Sequence, residues 1–300
     1  MNGLSCLPTA TVSITHHREK RVYNCRLFKP HVLALAINAA YPGLATRYAV
    51  NIGAGDGKAC NDPVFPLFEQ GFAGLCIEGA DEPKLAENLP AENIVKLTCS
   101  MVNPKNIGAL LARHSCPVDA DFLKIDIDGY DGPVLRQILA GGYRPKVIQV
   151  EVNPEFPPPI EFAVLYHPEY RPLTAFNQVV GGFYGASVAY ICNLCYRYGY
   201  RLAYMDFVTS YTHDVTMVRD EYFDIAVNIF GTDIIVKSPR ELYLEHPPGY
   251  SHFAEFGIDS LAWRYRTDFD DLLTEIWDAC MRANIMKNGG TGTPFHLSLG

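Results

Sequence analysis

Residues 50–57 read Val50-Asn51-Ile52-Gly53-Ala54-Gly55-Asp56-Gly57 and carry a glycine at every second position from Gly53 to Gly57. An apolar run from Tyr48 to Ile52 leads into the glycines and is typical of a short buried β-strand. Glycines here let the chain turn tightly from strand to helix, and they let a ligand approach main-chain N–H groups. Glu78 ends the next apolar run, where a carboxylate accepts both hydroxyls of an adenosine ribose. The pattern therefore predicts a site for an adenosine-containing ligand.

On both sides of this stretch, short apolar runs alternate with segments of helical pattern. The predicted strands are 48–52, 72–77, 93–98, 121–127, 146–150, 200–207 and 215–218. The predicted helices are 31–40, 58–70, 83–89, 103–114, 132–140 and 187–198. Near-continuous apolar strands that alternate with helices predict a Rossmann-like α/β fold, with a mostly parallel sheet covered on both faces. The last two strands are close enough in sequence to pair antiparallel.

Three parts are expected along the chain. Residues 1–46 form a helical lead-in, residues 47–220 form the main α/β domain, and residues 221–300 form a partly helical extension that ends in a flexible tail. Inside the main domain, residues 153–185 are rich in proline, glycine and aromatic residues. This composition predicts a lid-like insertion whose aromatic side chains, between Phe156 and Tyr184, supply the pocket for a substrate.

The composition excludes several classes of protein. Hydrophobic residues make up 48% of the chain and charged residues 19%, which is ordinary for a globular protein. The net charge of −8 argues against a general nucleic-acid binder. No apolar run reaches the ~18 residues of a membrane span, and the N-terminus lacks the pattern of a signal peptide. The nine scattered cysteines are typical of buried reduced thiols, so a soluble cytoplasmic protein is expected.

Four segments of the main domain carry a family resemblance. They are residues 50–57, Cys76-Ile77-Glu78-Gly79, the run from Phe122 to Asp131 that reads FLKIDIDGYD, and Val150-Glu151-Val152-Asn153-Pro154. Together they resemble the FkbM-type branch of class I methyltransferases, which depend on S-adenosylmethionine (SAM). The resemblance covers residues 47–220 and implies a seven-stranded sheet whose last strand is antiparallel.

The resemblance also implies a set of cofactor-binding residues. SAM would lie over the glycine loop, Glu78 would hold its ribose, and the segment after the third strand would flank the adenine. Asn51 stands where many class I enzymes have an acidic residue that binds the methionine amine. The expected cofactor-binding residues are Asn51, Gly53, Ala54, Gly55, Asp56, Gly57, Glu78, Ser100, Met101 and Asp126.

Acidic residues follow the fourth and fifth predicted strands. Asp126 and Asp128 share one face of the chain, as do Glu151 and Asn153, and the carboxyl ends of parallel strands meet at one crevice. Carboxylate and amide oxygens suit Mg²⁺ or Ca²⁺. The arrangement is similar to that of catechol-type O-methyltransferases, so these four residues are predicted metal ligands. Two alternatives remain: the acids contact SAM or substrate directly, or Asp128 or Asp131 caps the following helix.

Catalysis of methyl transfer needs in-line alignment and exclusion of water. A bound cation would lower the pKa of an acceptor hydroxyl, and a nearby base would accept its proton. The candidate catalytic residues are His213, Asp126 and His167, with Asp214 beside His213 as a further candidate base. Lys124, inside the fourth strand, needs an acidic partner.

The expected function is O-methylation of a small-molecule or sugar-like hydroxyl, with N-methylation as a variant. An NAD-dependent oxidoreductase is an alternative, although we find no convincing Tyr-x-x-x-Lys or similar site for hydride transfer. A non-catalytic binding or scaffold protein is the other. The expected partner is the small-molecule acceptor, with neither nucleic acid nor membrane. The two terminal parts would cap the site, form a homodimer interface or enlarge the core.

Overall fold

The computed structural model describes residues 12–13, 22–23, 30–57, 62–79, 82–90, 95–168, 183–206, 213–245, 247, 251, 253–254, 257–287 and 294–300. Its strands are β1 (Val12–Ser13), β2 (Val22–Tyr23), β3 (Tyr48–Ile52), β4 (Ala73–Glu78), β5 (Val95–Cys99), β6 (Phe122–Ile125), β7 (Val147–Glu151), β8 (Ile160–Val164), β9 (Tyr200–Asp206), β10 (Asp214–Arg219) and β11 (Phe295–Leu299). Its α-helices are α1 (His31–Ala40), α2 (Phe65–Glu69), α3 (Glu82–Asn88), α4 (Ile107–Arg113), α5 (Asp131–Ala140), α6 (Val188–Tyr196), α7 (Phe223–Phe230), α8 (Asp233–Val236), α9 (Pro239–Glu245) and α10 (Phe269–Lys287).

Seven of these strands form one central sheet in the order β5-β4-β3-β6-β7-β10-β9. The contacts among β3, β4, β5, β6 and β7 are all parallel. Strand β10 lies between β7 and β9 and runs antiparallel to both. The structure therefore confirms the predicted α/β sheet with an antiparallel last strand. The parallel strands are short and apolar because helices cover both faces of the sheet.

Each face of the sheet has its own apolar core. On one face, α1, α2 and α7 contribute Leu33, Phe68 and Phe223. On the other face, α4, α5, α6 and α10 contribute side chains to a second cluster, which includes Ile138 and Ile276. Among the described residues, no helix is both long and apolar enough to cross a membrane.

The predicted helix 58–70 is shorter in the structure. Helix α2 begins only at Phe65. Pro63 and Pro66 restrict the backbone here, because proline is tolerated at the start of a helix and disrupts its interior. Residues 58–61 lie outside the described part of the chain.

The expected lid-like insertion 153–185 differs from the structure in its first part. Residues 160–164 form strand β8, which pairs antiparallel with β11 from the C-terminus. Phe156, Phe162 and Phe183 are fully buried, and the rings of Phe156 and Phe162 stack with centroids 4.0 Å apart. These aromatic side chains form core and cannot line an acceptor pocket. Residues 169–182, the centre of the expected lid, lie outside the described residues, as does most of the expected flexible tail.

The C-terminal part packs on the segment that follows β7. Trp263 is fully buried, and its ring stacks near Phe156 with centroids 6.5 Å apart. The hydroxyl of Tyr243 donates to the carbonyl oxygen of Pro154 at 2.8 Å. This part of the chain therefore completes the core beside the carboxyl end of β7.

Candidate functional site

The glycine loop lies directly on the end of β6. Gly53 has φ +76°, and a Cβ added to it would lie 1.6 Å from the carbonyl oxygen of Asp126. The Gly53 N–H donates to the carbonyl oxygen of Ile77 at 2.9 Å, and the Asp126 N–H donates to that of Ile52 at 3.0 Å. Because both the backbone angle and the space exclude a side chain, only glycine fits here.

The Glu78 carboxylate lies against the same loop. Its Oε2 accepts from the Gly55 N–H at 2.7 Å, and its Oε1 accepts from the Gly79 N–H at 2.6 Å. Gly55 also has a positive φ of +53°. These two donors hold the carboxylate in one orientation at the mouth of the loop. Glu78 and the glycine loop are therefore in direct contact.

The remaining predicted cofactor residues surround this contact. The Ser100 N–H donates to the carbonyl oxygen of Glu78 at 2.9 Å. Met101 is 66% exposed, and its Sδ lies above Gly79, where an added Cβ would meet it at 2.4 Å. Ala54 is buried, and the carbonyl oxygen of Asp56 accepts from the side chain of Asn88. Met101 thus offers an exposed apolar surface next to Glu78.

A row of buried polar side chains crosses the sheet below the site. Asn51, Lys124 and Gln149 are register neighbours on β3, β6 and β7. The Lys124 ammonium lies 3.3 Å from Oδ2 of Asp62 and 3.0 Å from Oδ2 of Asp126. Burial alone lowers the pKa of Lys124, but the charges of Asp126 and Asp62 raise it well above its ordinary value. Lys124 is therefore a buried cation with two acidic partners.

Asp62 is a residue that sequence reasoning missed. Its Oδ2 accepts from the amide nitrogen of Asn51 at 2.9 Å, and its Oδ1 accepts from the N–H of Val64 at 2.7 Å. Oδ1 of Asn51 is buried and has no hydrogen-bond partner within the described part of the chain. The chain thus supplies a carboxylate next to Asn51 from a loop whose sequence carries no recognisable pattern.

Three acidic side chains converge at the carboxyl edge of the sheet. Asp126, Asp128 and Glu151, called the acid cluster below, each offer an oxygen, and these oxygens lie within 4.8 Å of one another. Oε2 of Glu151 is buried without a partner among the described residues. Burial, together with the neighbouring charges of Asp126 and Asp128, raises the pKa of Glu151 well above its usual range. Burial and the charge of Asp126 raise the pKa of Asp128 to about 6.

Asp131 and Asn153 shape the loops around the cluster. Asp131 accepts from the N–H groups of Ile127 and Gly129 at 2.9 and 3.0 Å, and burial raises its pKa to about 7. The amide of Asn153 donates to the carbonyl oxygen of Tyr184 at 2.9 Å and accepts from the N–H of Glu155 at 3.0 Å. Of the four predicted metal ligands, the structure brings three together, and backbone groups engage the fourth, Asn153.

Of the candidate bases, Asp214 lies beside the acid cluster. Asp214 lies opposite Glu151 in the β7–β10 register, and its Oδ2 accepts from the amide of Gln149 at 2.9 Å. Burial, and then the charge of Asp126, raises the pKa of Asp214 to about 7. His213 precedes it and is buried. His167 is half-buried, and its main chain is hydrogen-bonded to the hydroxyl of Tyr130. Among the candidate bases, Asp214 is the one whose described contacts place it next to Glu151.

The strand order distinguishes two kinds of Rossmann-like sheet. In dinucleotide-binding enzymes the order is 3-2-1-4-5-6. When only the seven strands of the central sheet are numbered, starting with β3 as strand 1, the order is 3-2-1-4-5-7-6. The seventh of these strands, β10, runs antiparallel between β7 and β9. This is the seven-stranded sheet with an antiparallel last strand that the sequence predicts. The observed topology speaks against the NAD-dependent alternative.

Comparisons with solved structures find methyltransferases. An amino pentose methyltransferase from Micromonospora echinaspora, solved with SAM bound, is 14% identical with a TM-score of 0.35, over 63% of this chain and 89% of that one. Mitomycin 7-O-methyltransferase is 18% identical (TM-score 0.33, 63% of this chain, 53% of that one). Human N-acetylserotonin methyltransferase, solved with SAM, is 13% identical (TM-score 0.33, 63% and 51%). No protein-family model and no curated protein sequence matches the chain.

Proposed function

We propose that this protein is a SAM-dependent methyltransferase that methylates a hydroxyl of a small-molecule or sugar-like acceptor. The observation that carries the proposal is the Glu78 carboxylate, held against the glycine loop by the N–H groups of Gly55 and Gly79. In a sheet with an inserted antiparallel strand, this is where an adenosine ribose would be bound. The proposal extends to membership of the FkbM-type branch, on the motifs around Gly53, Glu78, Asp126 and Glu151.

In this proposal, the residues around the loop bind and orient the cofactor. Its sulfonium supplies an activated methyl group. Glu78 would accept hydrogen bonds from the two ribose hydroxyls, and the exposed thioether of Met101 would pack against the adenine. Gly53 and Gly55 have no side chains, so the main chain approaches the cofactor closely. Oδ1 of Asn51 is buried without a protein partner in the described residues, so it can still accept a hydrogen bond.

The acid cluster fits a divalent cation. Its donors are hard carboxylate oxygens, and the unpartnered Oε2 of Glu151 is costly to keep buried without a cation. Asp126, Asp128 and Glu151 would hold the ion, which would lower the pKa of an acceptor hydroxyl. Asp214, oriented by Gln149, or the adjacent His213 would accept the proton of that hydroxyl.

The first test is the binding of S-adenosylhomocysteine (SAH), SAM and NAD, measured by isothermal titration calorimetry. Glu78→Ala removes both ribose acceptors, so we expect it to weaken SAH binding by about 10-fold or more, because hydrogen bonds to a charged group contribute about 1.5–3 kcal/mol each. The exposed Glu87 on α3 provides a matched control, and Glu87→Ala should bind as the wild type does. Binding of NAD without SAH or SAM would refute the proposal.

The metal part is tested by thermal unfolding with and without MgCl₂. Glu151→Gln replaces a carboxyl group whose charged form is disfavoured by burial and by the neighbouring acids with a neutral amide, so we expect the metal-free variant to be at least as stable as the metal-free wild type. Mg²⁺ at ten times its Kd should stabilise the wild type by about 1.4 kcal/mol and the variant by much less. Glu69→Gln, at an exposed position, should respond to Mg²⁺ like the wild type. An equal response of Glu151→Gln would exclude this residue as a ligand.

A further inference from the structure

Among the described residues, only Lys124 forms an ion pair with a member of the acid cluster. It lies in the middle of β6, is 7% exposed, and points along the same sheet face as Asp126, two residues further on. A buried ammonium group is costly unless it is paired. Its two partners are Asp62, which precedes α2, and Asp126, which follows β6.

The partners are used asymmetrically. Lys124 contacts Oδ2 of Asp126. Oδ1 of Asp126 accepts no hydrogen bond from the described residues. On its other side, Lys124 is fixed by Asp62, which is itself held by the amide of Asn51 and by the N–H groups of Val64 and Phe65. The position of the ammonium is therefore set by the start of α2 and by β3.

We infer that Lys124 is a positioning residue. Its ammonium is held by Asp62 and binds Oδ2 of Asp126, which orients Oδ1 of Asp126 toward the other two members of the acid cluster, Asp128 and Glu151. The inference rests on the proposed function, because it assigns Asp126 to a cation. It adds to that function a chain of two ion pairs, in which Asp62 at the start of α2 holds Lys124 and Lys124 holds the proposed metal ligand Asp126.

The direction in which metal affinity changes in Lys124→Met distinguishes a positioning role of Lys124 from the effect of its charge. Removing the positive charge of Lys124 would by itself strengthen the attraction of the cluster for a cation. Loss of positioning would weaken it, and substitutions in the outer shell of a metal site typically cost about 10- to 100-fold in metal affinity. Lys124→Met is thus expected to weaken binding, although simple electrostatics predicts the opposite.

A second buried lysine provides the control. Lys146 pairs with Asp121, and both side chains are at most 2% exposed. This pair lies just before β7 and β6, at the edge of the sheet opposite the acid cluster. Lys146→Met therefore removes a comparable buried ion pair without touching the site, and it should lower stability while leaving metal affinity in the folded protein unchanged.

The experiment measures Mn²⁺ binding by electron paramagnetic resonance on the folded wild type and on Lys124→Met, Lys124→Arg and Lys146→Met. We expect a loss of about 10- to 100-fold in Lys124→Met, clear rescue in Lys124→Arg and no loss in Lys146→Met. Unchanged or tighter binding in Lys124→Met overturns the inference, as does an equal loss in Lys146→Met. If Lys124→Met does not fold, the double variant K124M/D62N leaves no partnerless carboxylate at position 62 and takes its place.

Crystal structures of the same variants distinguish this inference from the proposed function. Displacement of the Asp126 carboxylate in the Lys124→Met variant, but not in Lys146→Met, supports positioning even if the wild type binds no Mn²⁺. In that case only the metal part of the proposed function fails. An Asp126 carboxylate that stays in place in Lys124→Met overturns the inference, even if the wild type binds both SAH and Mn²⁺.

Discussion

Gly53 is the residue at which the glycine loop lies directly against the end of β6. It combines a positive φ of +76° with a contact that leaves no room for a Cβ against the carbonyl oxygen of Asp126. The glycine-rich sequence predicts the turn, but it gives no information about this contact. Asp126 and Gly53 are brought together because β3 and β6 are neighbours in the sheet.

The corresponding prediction is that Gly53→Ala damages both stability and cofactor binding. The left-handed backbone costs a non-glycine residue about 1–2 kcal/mol, and relieving the clash must separate the loop from β6. Urea unfolding should show the loss, and calorimetry with SAH should show weaker binding. Gly108→Ala is the matched control, since nothing lies within 4 Å of the added Cβ. Wild-type stability of Gly53→Ala would contradict the close approach.

At the scale of elements, the periodic parts of the chain were predictable and the irregular parts were not. Helix α1 and strand β3 occur at the predicted bounds, 31–40 and 48–52, because burial on a helix face or inside a sheet leaves a strong apolar pattern. Strand β8 was missed, since Pro157 to Pro159 precede it and its partner β11 is far away in sequence. Pairing between distant segments leaves no local signal.

At the scale of the whole molecule, the C-terminal part and the sheet domain share one apolar core. Trp263, Phe156 and Phe253 form an aromatic group within the cluster that also contains residues of β6 and β7. The indole N–H of Trp263 donates to Glu275 on α10 at 2.9 Å. Stability should therefore be lost over the molecule as a unit when this group is disturbed.

We expect Trp263→Ala to destabilise the protein by about 3–5 kcal/mol, the usual cost of truncating a buried aromatic residue. Urea unfolding followed by circular dichroism should show one transition at a lower midpoint. The chain has two tryptophans, and Trp277, which is 47% exposed, supplies the control. Trp277→Ala should cost much less. A separate early transition in Trp263→Ala would mean instead that the C-terminal part unfolds independently.

Local sequence patterns predict the seven strands of the central sheet, the glycine turn, the acidic residue after the second strand and the acids after the fourth and fifth. Each of these features is indicated locally, either by the periodicity of apolar residues or by one short motif. The three-dimensional packing alone shows that Asp62 lies beside Asn51 and Lys124, that Asp214 lies opposite Glu151 and that Phe156, Phe162 and Phe183 form core. These relations join residues far apart in the chain, and the packing of whole elements fixes them, so no local pattern could reveal them.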